Sequence, residues 1–221
     1  MKNILFIAYQ FPPIGGAGVR RSLHFAEHLP AEGYQPIIVT VESKATDYLG
    51  KPTDWEGSKN IPPNTPIYRL PDHIFPKLTQ SLQRLKLYRF FWFFLFPLFW
   101  ERGALWPFFE SKRIAKIGKE NNCKIVYTTS SPYFTILLGW WLKKKHGFHW
   151  VADIRDPFTE CYAYSFPSKL HWAITKRIEH RLLKTADHII VNNCEVQKLY
   201  TEVYGFSSMK VGVIHNIIAH D

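Results

Sequence analysis

The sequence predicts an α/β fold built on a doubly wound, mainly parallel sheet. Two observations carry that expectation. Short apolar runs of the kind that make buried parallel strands alternate about seven times with stretches of helical periodicity. The first of these runs is followed by a bend, a cluster of glycines and a helix start, the order that builds ligand sites at the carboxyl edge of such sheets.

Ile4-Leu5-Phe6-Ile7-Ala8 is too short and too unbroken for an amphipathic helix and reads as a first, central strand. Tyr9-Gln10-Phe11-Pro12-Pro13 offers no small-residue cleavage site, so the start is read as a strand and not as a signal peptide. Gly15, Gly16 and Gly18 let the backbone approach a ligand closely. The helix that begins near Val19 offers unpaired N–H groups to an anion, with Arg20 and Arg21 adding charge. The dinucleotide fingerprint G-x-G-x-x-G is met only at Gly16 and Gly18, because Arg21 stands where the third glycine belongs. A nicotinamide dinucleotide is therefore the lesser ligand reading.

Val19, Leu23, Ala26 and Leu29 repeat at helical spacing up to Pro30 and Gly33. Pro36 to Val41 is a second strand, residues 43 to 65 form a long loop of the kind that often carries function, and Ile67 to Leu70 is a third strand. Residues 77 to 109 form an aromatic and basic insertion. Lys77, Arg84, Lys86 and Arg89 lead into the apolar run Phe90 to Trp100, with Arg102 beyond it. The run is about half the length of a bilayer span, so it is read as lying in an anionic headgroup interface through Arg89, Trp92 and Phe94. The competing reading buries the same aromatics in the core.

Ile114 to Lys119 ends a helix, and Cys123 to Thr128 is a strand running into the turn Thr129-Ser130-Ser131-Pro132. A helix through Ile136, Leu137, Trp140 and Trp141 closes on lysines that suit its dipole, followed by Gly147. His149 to Asp153 is a strand that leads into Ile154-Arg155-Asp156. Ser168 is a helix N-cap, with Leu170, Ile174, Ile178 and Leu182 as the apolar stripe behind it. Ala186 to Val191 and Lys210 to Ile214 are the last strands, and Asn192-Asn193 open the helix between them.

The net charge of +10 points to an anionic partner. A phosphorylated substrate or an acidic membrane ranks ahead of nucleic acid, for which no recognition signature is present. Cys123, Cys161 and Cys194 lie far apart and show no metal-ligand spacing, as suits a reducing cytoplasm. Neither a Ser-His-Asp order, nor H-E-x-x-H, nor a Walker A motif occurs.

The polar residues that follow the strands fall along one edge: the glycines, Ser130 and Ser131, Asp153 with Arg155 and Asp156, Asn192, and His215 with Asn216. Asp153, Arg155 and Asp156 are the candidate catalytic group. Two carboxylates around a guanidinium can position a hydroxyl, bind phosphate or exchange a proton, and they can equally form an ion pair that shapes the loop. Ser130 and Ser131 can hydrogen-bond a sugar or cap the next helix.

The segments FIAYQFPPIGGAGVRR, VYTTSSPYFTILLG, WVADIRDPF, IEHRLLKTADHIIVNN and VIHN, in this order and spacing, resemble the N-terminal, acceptor-side domain of GT-B glycosyltransferases. The resemblance is to the family 4-like group that builds bacterial surface polysaccharides, and it covers nearly the whole chain. It implies one Rossmann-like domain facing a second, donor-binding domain that this chain lacks. It also implies a nucleotide-sugar donor, a lipid-linked or saccharide acceptor, retention of anomeric configuration, and no metal or other cofactor. Gly15, Gly16, Gly18 and Arg20 would then face the donor phosphates or the acceptor across the cleft, and the Asp153–Asp156 turn would line the acceptor side. The sequence departs from the group at Ser130-Ser131-Pro132, where many members have a histidine turn, and at Ile217, where glycine usually follows the asparagine. The expectation is the acceptor-binding half of a glycosyltransferase on the inner face of the cell membrane, with little activity alone. Its rival is a non-catalytic, membrane-associated binding module of the same fold.

Overall fold

The computed structural model describes residues 1–42, 52–72, 74–96, 101, 103–161 and 165–216. One sheet contains β1 (Lys2–Ile7), β2 (Tyr34–Val41), β3 (Ile67–Leu70), β4 (Ile125–Ser130), β5 (His149–Ile154), β6 (His188–Val191) and β7 (Val211–Val213). Its order is β3-β2-β1-β4-β5-β6-β7, and every pairing is parallel. The unbroken apolar run of β1 is explained by this position, since the strand is paired on both edges and covered on both faces. The direction of winding reverses between β1 and β4, which makes their carboxyl ends the natural ligand crevice.

Alternation along β1 divides its side chains between two cores. Ile4, Phe6 and Ala8 join Leu23 and Ala26 of α1 (Ala17–His28) on one face. Leu5 and Ile7 join Trp106 and Ile114 of α5 (Trp106–Glu120) and Leu138 of α6 (Phe134–His146) on the other. Trp106 and Trp150 are among the largest fully buried side chains. Burying an aliphatic side chain such as Leu5 or Ile7 contributes about 1.5–3 kcal/mol over leaving it exposed. Gly139 of α6 admits Trp150, because a Cβ there would overlap the indole. Between β2 and α5 run α2 (Trp55–Lys59), α3 (Ile74–Arg84) and α4 (Tyr88–Phe94). After β5 come α7 (Lys169–Lys184) and α8 (Cys194–Lys198), which continues into a π-helical turn over Leu199–Val203.

Two expectations are corrected. β4 begins and ends two residues later than the sequence suggests, because its ladder with β5 continues to the pair Ser130↔Ile154. Ser130 is thus the last residue of a strand and not part of a turn. The stripe of α7 also faces outward for most of its length: Leu170, Ile174 and Ile178 are 66%, 46% and 40% exposed, and only Leu182 packs on the core. The buried face of that helix carries Thr175, Glu179 and Leu183 instead. Glu179 is drawn inward by hydrogen-bond donors from two other segments, Phe158-Thr159 and the π-helical turn with its exit residue Tyr204, and this fixes the rotation of the helix.

Part of the long loop folds back onto the glycine turn. Ile14 bridges Thr53, Gly15 N–H donates to the Pro52 carbonyl at 2.7 Å, and Asp54 N–H donates to that of Pro13 at 2.7 Å. Residues 43–51 of that loop, the end of the aromatic run (97–100), Arg102 and residues 217–221 lie outside the described residues. Among the described residues no helix is long and apolar enough to cross a membrane.

Candidate functional site

The glycine turn at the end of β1 sets the site. Gly16 is the N-cap of α1 at φ 123°, a backbone that disfavours any side chain. Gly16 has no side chain with which to cap this helix, and the first turn carries no acidic residue. Gly15 packs against Pro52, where a Cβ would lie 3.0 Å from the carbonyl oxygen. At Gly18 a Cβ would overlap the guanidinium of Arg155. This close approach brings Arg155, from the loop after β5, against the first turn of α1. The guanidinium is held there by the last carbonyl of β4 and the one that follows it: Nε donates to Ser130 O at 2.6 Å and Nη2 to Ser131 O at 3.3 Å.

Beneath this layer lies a buried charge cluster. Asp153 is fully buried at the end of β5. Its Oδ1 accepts from Arg21 Nη2 at 2.7 Å, and its Oδ2 accepts from Arg21 Nε at 3.0 Å, Tyr127 Oη at 2.8 Å and Thr129 Oγ1 at 2.9 Å. Arg21 spends its remaining nitrogen on the far end of the chain, donating from Nη1 to Ile214 O at 2.8 Å and Asn216 Oδ1 at 3.0 Å. Burial works against the charge of Arg21, but the hydrogen bonds and charge of Asp153 outweigh it and raise its pKa. Burial, reinforced by the Asp153 charge, holds the Tyr127 phenol well above its ordinary pKa, so it stays a donor.

Asp156 follows on the same loop and is exposed. Its carbonyl accepts from Tyr133 Oη at 2.6 Å, and the loop beyond it is moored by Glu179. That carboxylate is 2% exposed and accepts from Phe158 N at 3.1 Å, Thr159 N at 3.2 Å, Thr159 Oγ1 at 2.7 Å and the hydroxyls of Tyr200 and Tyr204 at 2.9 Å each. At the neighbouring start of α6, Tyr133 N–H donates to Glu101 Oε2 at 2.6 Å. Burial pushes the Glu101 carboxyl up to about 8, against the downward pull of the Tyr133 and Phe134 amides. Ser130 is buried, and its Oγ has no hydrogen-bond partner among the described residues.

The candidates from the sequence therefore fall into layers. Gly15, Gly16, Gly18, Arg155, Ser130 and Ser131 come together at the crevice, with Arg20 exposed one turn into α1. Asp153 and Asn216 meet below them through Arg21, which is 8% exposed and so serves the interior and not the loop surface. Asn192 receives the side-chain amide of Asn193, which caps α8 by accepting from Val196 N at 2.8 Å. Arg89 and Phe94 lie exposed on α4, well removed in sequence from this edge, and Trp92 packs its ring on Phe96 at 5.7 Å. The sequence reading missed Tyr127, Thr129, Glu179 and Glu101. A signal for the first two was present, because residues two apart on a strand share a face and Thr129 pairs with Asp153 across the ladder.

The family model for Glycosyltransferase Family 4 matches residues 14–221. No curated protein matches. Among solved structures, a glycosyltransferase from Rickettsia africae is 18% identical with a TM-score of 0.54, over 97% of this chain and 43% of its own. Glycyrrhiza uralensis UGT73P12, complexed with glycyrrhetinic acid 3-O-monoglucuronide, is 12% identical with a TM-score of 0.52, over 97% of this chain and 48% of its own. The chain thus spans less than half the length of these structures, and at such identities the likeness is one of fold.

Proposed function

We propose that this chain, which belongs to Glycosyltransferase Family 4, is the acceptor-binding half of an enzyme that moves a sugar from a nucleotide-sugar to a membrane- or lipid-linked acceptor in polysaccharide biosynthesis, with retention at the anomeric carbon. One observation carries the reading. The Arg155 guanidinium is packed on Gly18 against the start of α1, whose N-cap Gly16 has no capping side chain, with Arg20 exposed nearby. A guanidinium and a helix N-terminus have the same sign of charge, so holding them together is unfavourable until an anion offsets both. A phosphate group of the donor is such an anion. Asp156, exposed on the same loop, is the carboxylate available to an acceptor hydroxyl. Asp153 has its oxygens occupied from below and acts as a positioning residue for Arg21 and the strand end.

In the chain joined to its donor domain, Asp156→Asn is expected to lower kcat/KM by about tenfold to a hundredfold, toward the lower end of what a positioned acid or base contributes. Its melting temperature should stay nearly unchanged, since the side chain is exposed. Residues 1–221 alone should transfer little sugar. Undiminished transfer by Asp156→Asn would remove Asp156 from the mechanism.

The membrane part of the reading is supported by α4 and α7. No residue of α4 is buried, and Phe90, Phe93 and Phe94 are exposed beside Arg89. The outward Leu170, Ile174 and Ile178 of α7 run between exposed Lys169, Arg177 and Arg181. His171 joins the two helices: its Nε2 lies 2.8 Å from Phe93 O and its ring centroid 4.8 Å from that of Phe93. An apolar face rimmed by cations suits an anionic bilayer, at about 1 kcal/mol per basic residue near the surface. The chain should sediment with anionic vesicles at low salt and less so at high salt. The pair Phe94→Ser and Ile174→Ser should release it while leaving its circular dichroism intact. A wild-type chain that stays in the supernatant would overturn the membrane reading and leave the transfer reading standing.

A further inference from the structure

We infer that the last two turns of α1 form a binding site for one divalent transition-metal ion of the zinc, nickel or copper class, with His24, Glu27 and His28 as its ligands. The segment His24-Phe25-Ala26-Glu27-His28 places the three side chains at i, i+3 and i+4, which share one helix face. One ligand atom from each lies within 4.8 Å of the others, and the two imidazole centroids are 3.9 Å apart. Ligands about 2.1 Å from a tetrahedral ion stand about 3.4 Å apart, so modest side-chain rotations complete the geometry. These residues are free to make them, because His24 and Glu27 are half-buried and His28 is exposed.

Two further features suit a cation here. His28 Nδ1 lies 2.9 Å from His24 O. With its proton donated to that carbonyl, the ring turns the lone pair of Nε2 outward, the outer-partner arrangement that fixes metal-binding histidines. The cluster also ends α1, where the helix dipole is negative, and His28 is the only basic residue of that last turn. Glu27 Oε2 stands 3.6 Å from His24 Nδ1 and adds the formal negative charge. Two imidazoles and one carboxylate select transition ions over magnesium or calcium, which want all-oxygen shells. The site is separate from the crevice, which the other end of the same helix helps to form. An ion bound here braces the turns behind Arg21 and takes no part in transfer.

The test is calorimetric titration of Zn²⁺ into the chelator-treated chain. Half-exposed Cys161 and exposed Cys194 are first changed to Ser, so that thiols do not compete. One ion per chain is expected, together with a rise in melting temperature. Because all three side chains are at least partly exposed, His24→Ala and His28→Ala should each fold normally. Each should weaken binding at least about tenfold, and Glu27→Gln should weaken it less. Mg²⁺ should give no heat. Co²⁺ should give the absorption bands of a nitrogen-ligated site, lost in the double variant His24→Ala/His28→Ala. Failure of the parent chain to bind Zn²⁺, or undiminished binding by the double variant, overturns the inference. Neither result bears on the transfer reading.

Discussion

Asp153→Ala should destabilise the fold by about 3–5 kcal/mol, the cost of removing one partner from a buried ion pair. Arg21 would be left buried with its charge unmatched, and Tyr127 and Thr129 would each lose the acceptor for a buried hydroxyl. At about 2–4 °C per kcal/mol for a domain of this size, the melting temperature should fall by roughly 6–20 °C. Tyr127→Phe removes one donor without exposing a charge and should cost only about 1 kcal/mol. Replacing Arg21 and Asp153 together by Met and Leu should recover most of the loss, because a buried pair gives little over well-packed apolar side chains. Thermal melts of the three variants beside the parent decide the point. An Asp153→Ala chain that melts within a degree of the parent would show that the pair does not hold the strand ends together.

Glu179→Ala should have an effect of similar size, about 3–5 kcal/mol, for a different reason. No cation balances this carboxylate through a direct hydrogen bond among the described residues; backbone and hydroxyl donors do so instead. Removing it takes the acceptor from the amides of Phe158 and Thr159 and from the Tyr200 hydroxyl in a dry interior, while the hydroxyls of Thr159 and Tyr204, 2.7 Å apart, keep only each other. Hydrogen exchange offers a specific readout: the amides of Phe158 and Thr159 should lose protection before the rest of the sheet does. Glu179→Gln should be intermediate, since an amide keeps one acceptor oxygen and turns a donor toward the others. In the complete enzyme either change should also reduce transfer, because the loop it moors carries Arg155 and Asp156. Unchanged exchange at Phe158 and Thr159 would refute the mooring role.

Most of the sheet is legible in the sequence because buried parallel strands leave a strong mark. The run Ile4 to Ala8 has no polar break, and the strand it predicts is paired on both edges. The site is less legible, because the fold separates residues that are neighbours in the chain. Asp153, Arg155 and Asp156 read as one constellation, yet Asp153 points down into the cluster, Arg155 lies along the crevice, and Asp156 faces water. The end of β5 at Ile154 falls between them, and past it the alternation that sorts side chains no longer applies. The stripe of α7 misleads for another reason. Apolar spacing identifies a helix face but not what that face meets, and Glu179 on the opposite side outweighs three aliphatic side chains in setting the rotation.

The central position of β1 has a kinetic consequence. It is made before the other strands of the sheet and pairs with β2 soon after, but Ile4 meets Ile125 only once β4 has been made. Until then one edge of the most apolar strand has no neighbour, and the protein must carry it through synthesis of the whole aromatic insertion. Pairings this distant along the chain are slow to form and expose the nascent protein to association with other chains.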